Sequence, residues 1–284
     1  MLNFIKGLFT EGYLPVFSQL LSFLPSVTVL LIIVAFFENS KPVLGLGCTT
    51  LAVSALDKTE PEHTKRQKIR FLTFIPCSAK LPVFMFLTAT VLNLNFFTVI
   101  WLYAFSVFLG FVLTRNTAFT FPKFRRIHPL ALTKTVTLNL LGFLKRIGIG
   151  LIIAVTILYI LSHYSFALRP TPTEQSMLYN LCGWAEPLFA PTGLDNAGIL
   201  AALAFGLIAK EMIIGAILLC PITWTLASGV SFLLFTLLYT PCIPTLTAIA
   251  SRTSRRHAAR VAIFNFAIAY AAAFIAFTAL TLLA

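Results

Sequence analysis

Residues 71–86 read FLTFIPCSAKLPVFMF. The stretch is apolar at both ends and carries Pro76, Cys77, Ser78, Lys80 and Pro82 in its middle. Each proline removes a backbone donor and disturbs helix geometry. A lysine near the centre of a bilayer costs a few kcal/mol on insertion scales. Backbone polar groups facing lipid cannot stay unpaired, so such a break lines a cavity walled by protein or filled by water. Broken helices at mid-membrane are where transporters bind ions. A second stretch of this kind follows at residues 238–250, LYTPCIPTLTAIA, with Pro241, Cys242 and Pro244.

Composition sets the solvent. Of 284 residues, 58% are hydrophobic and 11% charged, and the mean hydropathy is +0.92. Soluble domains carry about 25% charged residues. The chain therefore reads as all-α and polytopic, with about seven or eight transmembrane helices plus broken or re-entrant half-helices. The net charge of +12 falls mainly in short loops between apolar runs. That is the positive-inside pattern of a multi-pass protein in the inner, cytoplasmic membrane, so the partner implied is the lipid bilayer and no nucleic acid. The five cysteines lie mostly inside apolar stretches, which argues against a disulfide framework. No cleavable signal peptide is apparent.

Taken in order, residues 14–37 are long enough to span, and end at Glu38. Residues 43–56 begin GLGC and make about 21 Å of helix against a core of about 30 Å, so they read as a half-helix. Residues 57–70 form a basic loop, placed in the cytoplasm. The broken stretch runs to about residue 92, and 96–114 return. Residues 115–134 are a second basic loop. Residues 135–146 form an amphipathic lead-in, and 147–161 run outward. Residues 163–196 hold one basic residue, Arg169, against Glu174, Glu186 and Asp195, and read as external. Residues 198–219 read as a span with Lys210 and Glu211 in its middle. Residues 222–239 read as another, meeting the second break. A third basic loop, 252–260, precedes a last span.

A weak repeat is present at a shift of 194 residues: Cys48 falls on Cys242, His63 on His257 and Arg66 on Arg260. It divides the chain into a first gate module, residues 1–134, and a second, residues 135–284; duplicated halves are common in transporters. Their relative orientation stays open. Taking 222–250 as one pass puts the third basic loop outside, whereas a re-entrant hairpin there keeps it inside and makes the halves parallel.

No phosphate loop, HExxH, CxxC or GxSxG occurs. Hence no catalytic residue, no nucleotide-binding residue and no enzymatic activity are expected. A buried free cysteine is usually only a small hydrophobe, and Cys182 and Cys220 are read that way. Cys48, Cys77 and Cys242 differ because each sits at a Gly or Pro break, and thiolates bind soft and borderline metals such as Fe(II). Glu211, a carboxylate deep in an apolar run, is a functional candidate as metal ligand or gating charge; the alternative is local neutralisation by Lys210. Glu38, at a span end, is either interfacial or pore-lining. Lys80 either snorkels to the interface or, with Ser78 and Lys210, lines the gate. The four histidines lie in loops or at helix ends and are read as solvated.

Together these motifs resemble the membrane part of the ferrous iron transport protein B (FeoB) family. PCSAKLPV, residues 76–83, is similar to that family's first-gate signature (S/P)CSARLPV, with Lys80 for the usual arginine. GLGC at 45–48 is similar to GFGC, and GFLKRIG at 142–148 to the segment before the second gate. GLIAKEMIIG at 206–215 and LYTPCIPTLTAI at 238–249 resemble GFxAKEVVVG and LYTPCxATLAAI. The resemblance implies Fe(II) as the transported ion, with no permanently bound cofactor and a pore at Cys48, Cys77, Cys242 and Glu211. In the family a GTP-binding domain precedes the membrane part. None is found in these residues, so a separate GTP-binding protein, small accessory proteins and a homo-oligomer are the partners implied. Thr49 and Thr50 replace the family's Asn-Val-Pro-like run, and one amphipathic helix between Ser40 and Pro42 is absent. Two other readings remain: a permease for another metal or a nucleoside, and a non-transporting subunit that docks a G protein. The two breaks contain no Asn or Gln, which favours metal over nucleoside.

Overall fold

The computed structural model describes residues 45, 47–57, 59–91, 97–114, 159–166, 169–172, 175–208, 210, 212–219 and 222–283, with isolated positions elsewhere. The expected span 14–37, most of the second basic loop, the 135–146 lead-in, Glu211 and Cys220 lie outside the described residues. Apart from a two-residue antiparallel pair, β1 (Phe37–Glu38) with β2 (Lys123–Phe124), the regular elements described are helical. The protein is an all-α polytopic membrane protein. Among the described residues two helices are long and apolar enough to cross a membrane, and two bent pairs raise this to four.

The prolines act as the sequence suggests. Helix α1 (Thr49–Ser54) starts at Cys48, whose backbone is extended. Helix α2 (Glu62–Phe74) carries Glu62 in its first turn, where a carboxylate suits the positive end of the helix dipole. It stops at Ile75, extended at ψ 118°, because a residue before proline is pushed out of the helical region. The chain re-enters helix through a tight turn, Ser78–Lys80, into α3 (Leu81–Phe86), with Pro82 in the first turn. Proline suits that place, since its missing N–H would have no helical partner. The chain bends by 61° across this break.

Helix α4 (Phe97–Leu113) runs back along α2 and α3. Ser106 Oγ donates to Phe74 O, and Tyr103 OH to Cys77 O at 3.3 Å. Phe74 O lies where the break leaves a carbonyl without a helical donor, and Cys77 O also accepts from Lys80 N–H at 3.1 Å. A Cβ on Gly110 would meet that of Phe74 at 2.7 Å, so the glycine permits the close approach. The opposite face of α4 exposes Phe97, Trp101, Phe105 and Phe108, at the spacing of one helical stripe, as lipid contact requires.

In the second half, α5 (Met177–Gly183) and α6 (Glu186–Phe189) precede α7 (Ala197–Ile208) and α8 (Met212–Leu219). Helix α9 (Leu226–Leu238) ends at Tyr239, and α10 (Ile243–Arg252) starts from Cys242, with Pro244 in its first turn. The two continue as one 27-residue pass, mostly buried. Helix α11 (Arg255–Leu283) returns antiparallel. Ser231 Oγ lies 3.3 Å from Ala273 O, and Thr240 Oγ1 donates to Ala262 O at 3.1 Å.

The direction of α7 and α8 corrects one expectation. Thr192 O accepts from Ser231 Oγ at 2.6 Å, so α7 begins beside the start of α9. Gly206 packs on Tyr239, and Lys210 Nζ reaches Thr240 O at 2.9 Å, so α7 ends beside the α9–α10 break. Gly206 also abuts Ile213, which folds α8 back along α7. Chain reach demands the same. Were α8 to run on, its end would lie roughly 30 Å from Leu226, and the step from Leu219 to Leu226 extends at most about 25 Å. Residues 198–219 are therefore a hairpin and not a single span.

The hairpin answers the orientation question. With α7 and α8 returning to their starting side, 222–250 is one pass and the basic loop 252–260 lies opposite residues 163–196, as the lysine and arginine bias requires. Helices α1 and α10 run the same way. Thr50 Oγ1 meets Thr245 Oγ1 at 2.8 Å near their starts, and Arg252 donates to Leu56 O at 3.2 Å and to Ser54 O at their ends. The two gate segments are thus parallel even though 222–250 is a single pass.

This topology is checked by one-sided maleimide labelling in a cysteine-free background. Trp184→Cys and Leu226→Cys, both exposed, are expected to label from one face of the membrane and Arg256→Cys from the other. Labelling of Leu226→Cys from the face opposite Trp184→Cys would restore the single span.

Candidate functional site

Cys48, Cys77 and Cys242 occupy equivalent local positions. Each has an extended backbone and heads a helical segment: α1, the Ser78–Lys80 turn leading into α3, and α10. Neither Cys77 nor Cys242 caps its own helix through its side chain, and all three thiols are half-buried and outside any disulfide. Serine, threonine, aspartate or asparagine usually occupies such a place and does cap the helix. A cysteine there puts a soft donor at the head of each helical segment.

The fold brings the three segments to one level. Ser78 Oγ donates to Gly47 O at 2.8 Å, which ties the first break to the start of α1. The Thr50–Thr245 contact joins α1 to α10, and Cys242 Sγ lies 3.2 Å from Thr245 Oγ1. The Cys77 and Cys242 thiols are near enough to Cys48 to act on it electrostatically. Above this level lies one apolar cluster, with Phe74, Phe84, Ile213, Phe232 and Leu237. Below it lies another, with Val53, Ile69, Leu72, Ile249 and Val261. The polar layer is a seam between two dry cores.

Two lysines close the seam. Lys80 is 5% exposed and Lys210 is 3% exposed. Lys80 Nζ donates to Leu237 O at 2.6 Å and Lys210 Nζ to Thr240 O at 2.9 Å. Lys210 Nζ also sits 3.1 Å from the centroid of the Tyr239 ring, a cation–π contact strengthened by burial. Both acceptors flank the break between α9 and α10, where helical N–H partners are missing and the C-terminal end of α9 is the negative end of its dipole. Lys80 therefore does not snorkel to the interface.

Glu211 lies outside the described residues, as does the side chain of Glu38, whose backbone pairs with Lys123. Among the described residues no group of three or more His, Cys, Asp or Glu side chains is arranged to hold a metal ion. The thiols share a layer without closing around one point. Cys182 is buried in the upper core, as its structural reading expects. His257 departs from the solvated reading: it is 3% exposed, because α2 and α11 pack their apolar faces together beside it. Reading the sequence alone missed Tyr103, Thr50, Tyr239, Thr240 and Thr245. The last three lie inside the quoted LYTPCIPTLTAI, and Thr50 lies two residues after Cys48. Nothing in the apolar run around Tyr103 sets it apart.

The chain is similar to the Fe(2+) transporter FeoB of Methanocaldococcus jannaschii, 24% identical over 335 residues that cover 96% of this chain and 49% of that protein. The FeoB of Staphylococcus aureus is 23% identical over 97% of this chain and 49% of its own length. That of Synechocystis is 25% identical over 86% and 48%. The chain spans about half the length of these curated relatives, and the resemblance seen in the motifs extends along nearly all of it. No family model and no solved structure matches the chain.

The lysine contacts predict a stability effect. Lys80→Met keeps the stem and removes the donor to Leu237 O. Leaving a buried carbonyl unpaired costs about 1–3 kcal/mol, so thermal unfolding in detergent is expected several degrees lower. Lys65→Met, in the first turn of α2 where the sequence reads as a basic loop, is expected to leave it unchanged. Equal melting of Lys80→Met and wild type would remove the capping role.

Proposed function

We propose that the chain is the permease part of a ferrous-iron transporter, acting as a multi-pass protein of the cytoplasmic membrane. The observation that carries the reading is the gathering of Cys48, Cys77 and Cys242 in one polar seam between two apolar cores. Similarity to proteins named Fe(2+) transporters supports the choice of ion. In this reading Fe(II) is cargo. Thiolates attract it as a borderline metal, and Glu211 supplies an oxygen donor and a negative charge against the cation. A conduit must bind its ion without trapping it. Thiols that share a layer without converging on a point suit that need, since one or two engage the ion at a time.

Lys80 and Lys210 act as the closed gate. Two ammonium groups in the seam repel an approaching dication and hold the α9–α10 break shut through its carbonyls. Opening requires at least one of them to leave its acceptor. Ser78 lines the same passage, and Glu38 serves at its mouth. These residues contain no phosphate loop, so any nucleotide-driven step falls to a GTP-binding unit outside them, with small accessory proteins and a homo-oligomer as further elements of the assembly.

Uptake by purified protein in liposomes tests the ion path. Cys77→Ser and Cys242→Ser preserve size and weaken soft-metal binding; each is expected to lower Fe(II) flux about tenfold or more, with Fe(II) preferred over Zn(II) and Mn(II) in wild type. Cys182→Ser and Cys220→Ser are the controls and are expected to transport normally. Wild-type flux in both gate variants would remove the thiols from the path. A nucleoside carried in place of metal would replace the substrate class.

Titration calorimetry addresses the energy source. The 284-residue chain is expected to show no saturable GTP binding in the micromolar range, because it lacks the glycine-rich loop that cradles phosphates. Measurable binding would mean that nucleotide acts on the permease itself.

A further inference from the structure

The basic end holds a feature that the iron path does not use. Ile69 and Leu72 of α2 pack with Ala258 and Val261 of α11 in the lower core. That packing sets Arg66 and Arg70, one turn apart on α2, beside His257 and Arg260 on α11. The three guanidinium groups and the Glu62 carboxylate all lie within electrostatic reach of the His257 ring. Glu62 is already ion-paired with Arg66. Three cations thus face one anion, and that anion is partly neutralised.

Two nitrogen atoms in this group are buried without a hydrogen-bond partner, His257 Nε2 and Arg66 Nε. His257 is 3% exposed, and its backbone N–H is already satisfied by Ser254 Oγ at 3.2 Å, so the orphan is the ring alone. Buried polar atoms in folded proteins almost always have partners, and an exception points to a missing water or ion. Unsatisfied ring and guanidinium nitrogens amid surplus positive charge select an oxyanion with several acceptor oxygens, as phosphate has.

Depth in the membrane selects the source. Helix α11 has 29 residues, about 43 Å of helix against a hydrocarbon core of about 30 Å. Its first turns, with exposed Arg255, Arg256 and Arg260, therefore stand at headgroup level. Clusters of Lys and Arg beside a membrane helix attract anionic lipid.

We infer that Arg66, Arg70, His257 and Arg260 form a binding site for the phosphate of an anionic phospholipid headgroup, between α2 and the start of α11. Arg70 and Arg260 are exposed and swing onto the phosphate, which lets its oxygens reach the two buried nitrogens. A lipid held there bridges the first gate segment to the last helix.

The test uses the full chain in nanodiscs of phosphatidylcholine containing phosphatidylglycerol, with retained lipid counted by native mass spectrometry. Wild type is expected to retain phosphatidylglycerol in preference to phosphatidylcholine. Arg70→Gln and Arg260→Gln are expected to weaken retention roughly fivefold each, with an unchanged melting temperature because both side chains are exposed. His257→Gln provides a second variant, and Arg169→Gln, at the other end, is expected to behave as wild type. Equal retention of the two lipids, or unchanged retention in the paired Arg70→Gln and Arg260→Gln variant, overturns the site. Displacement of the lipid by millimolar inorganic phosphate overturns the lipid as source and makes the ligand a free oxyanion. Loss of a bound acidic protein with no change in lipid assigns the surface to that protein instead.

Discussion

The bond from Lys80 to the carbonyl of Leu237, and its companion from Lys210 to Thr240, are the contacts on which the rest depends. A helix broken inside a bilayer leaves carbonyl groups that water cannot reach. Here the break between α9 and α10 lies between two apolar cores, so the partners must come from the protein. One lysine arrives from the first break and the other from the tip of the α7–α8 hairpin. Each ammonium is expensive to bury, and each orphan carbonyl is expensive to leave unpaired; placing one against the other reduces both penalties. The contacts also fix the architecture, since the first break, the hairpin and the second break must meet at one depth for both bonds to form.

Much of this was legible locally. Proline and cysteine marked both breaks, because the residue before Pro76 has to leave the helical region and Pro82 and Pro244 suit a first turn. The half-helix at GLGC was legible from its length against the bilayer. What failed was direction. An apolar run of some twenty residues reads the same whether it crosses once or doubles back, since hydropathy carries no sign along the membrane normal. Residues 198–219 were for that reason read as a span. The contacts that exclude a span are non-local: Gly206 against Ile213 and Tyr239, and a connection too short to reach Leu226.

Burial of charge was misjudged for a related reason. Lys80 has a stem long enough to snorkel, and only a carbonyl donated by a segment 157 residues away decides against it. His257 follows a basic loop and looks solvated, yet α2 packs over it. The hydroxyls of Thr50 and Thr245 look like ordinary helix residues, and their contact exists only because α1 and α10 run parallel. The charge rule favoured that parallelism, while a single pass over 222–250 conflicted with it until the hairpin supplied the missing return.

The electrostatics of the seam bear on the proposed transport. An ion of charge +2 meets two fixed ammonium groups, so a neutral passage would exclude it. Thiols supply compensation only as thiolates, the form that a bound metal ion requires. On this reading cation arrival, thiol deprotonation and release of a lysine from its carbonyl are coupled. Each is costly alone, and together they exchange one buried positive charge for another. Under the proposed function such a seam would be closed at rest without a separate plug, would open to a cation that thiolate binds well, and would resist one that cannot draw a proton from sulfur. Selectivity and gating would then rest on the same few side chains, which is why the lysines, and not the thiols alone, determine whether the break is a seal or a passage.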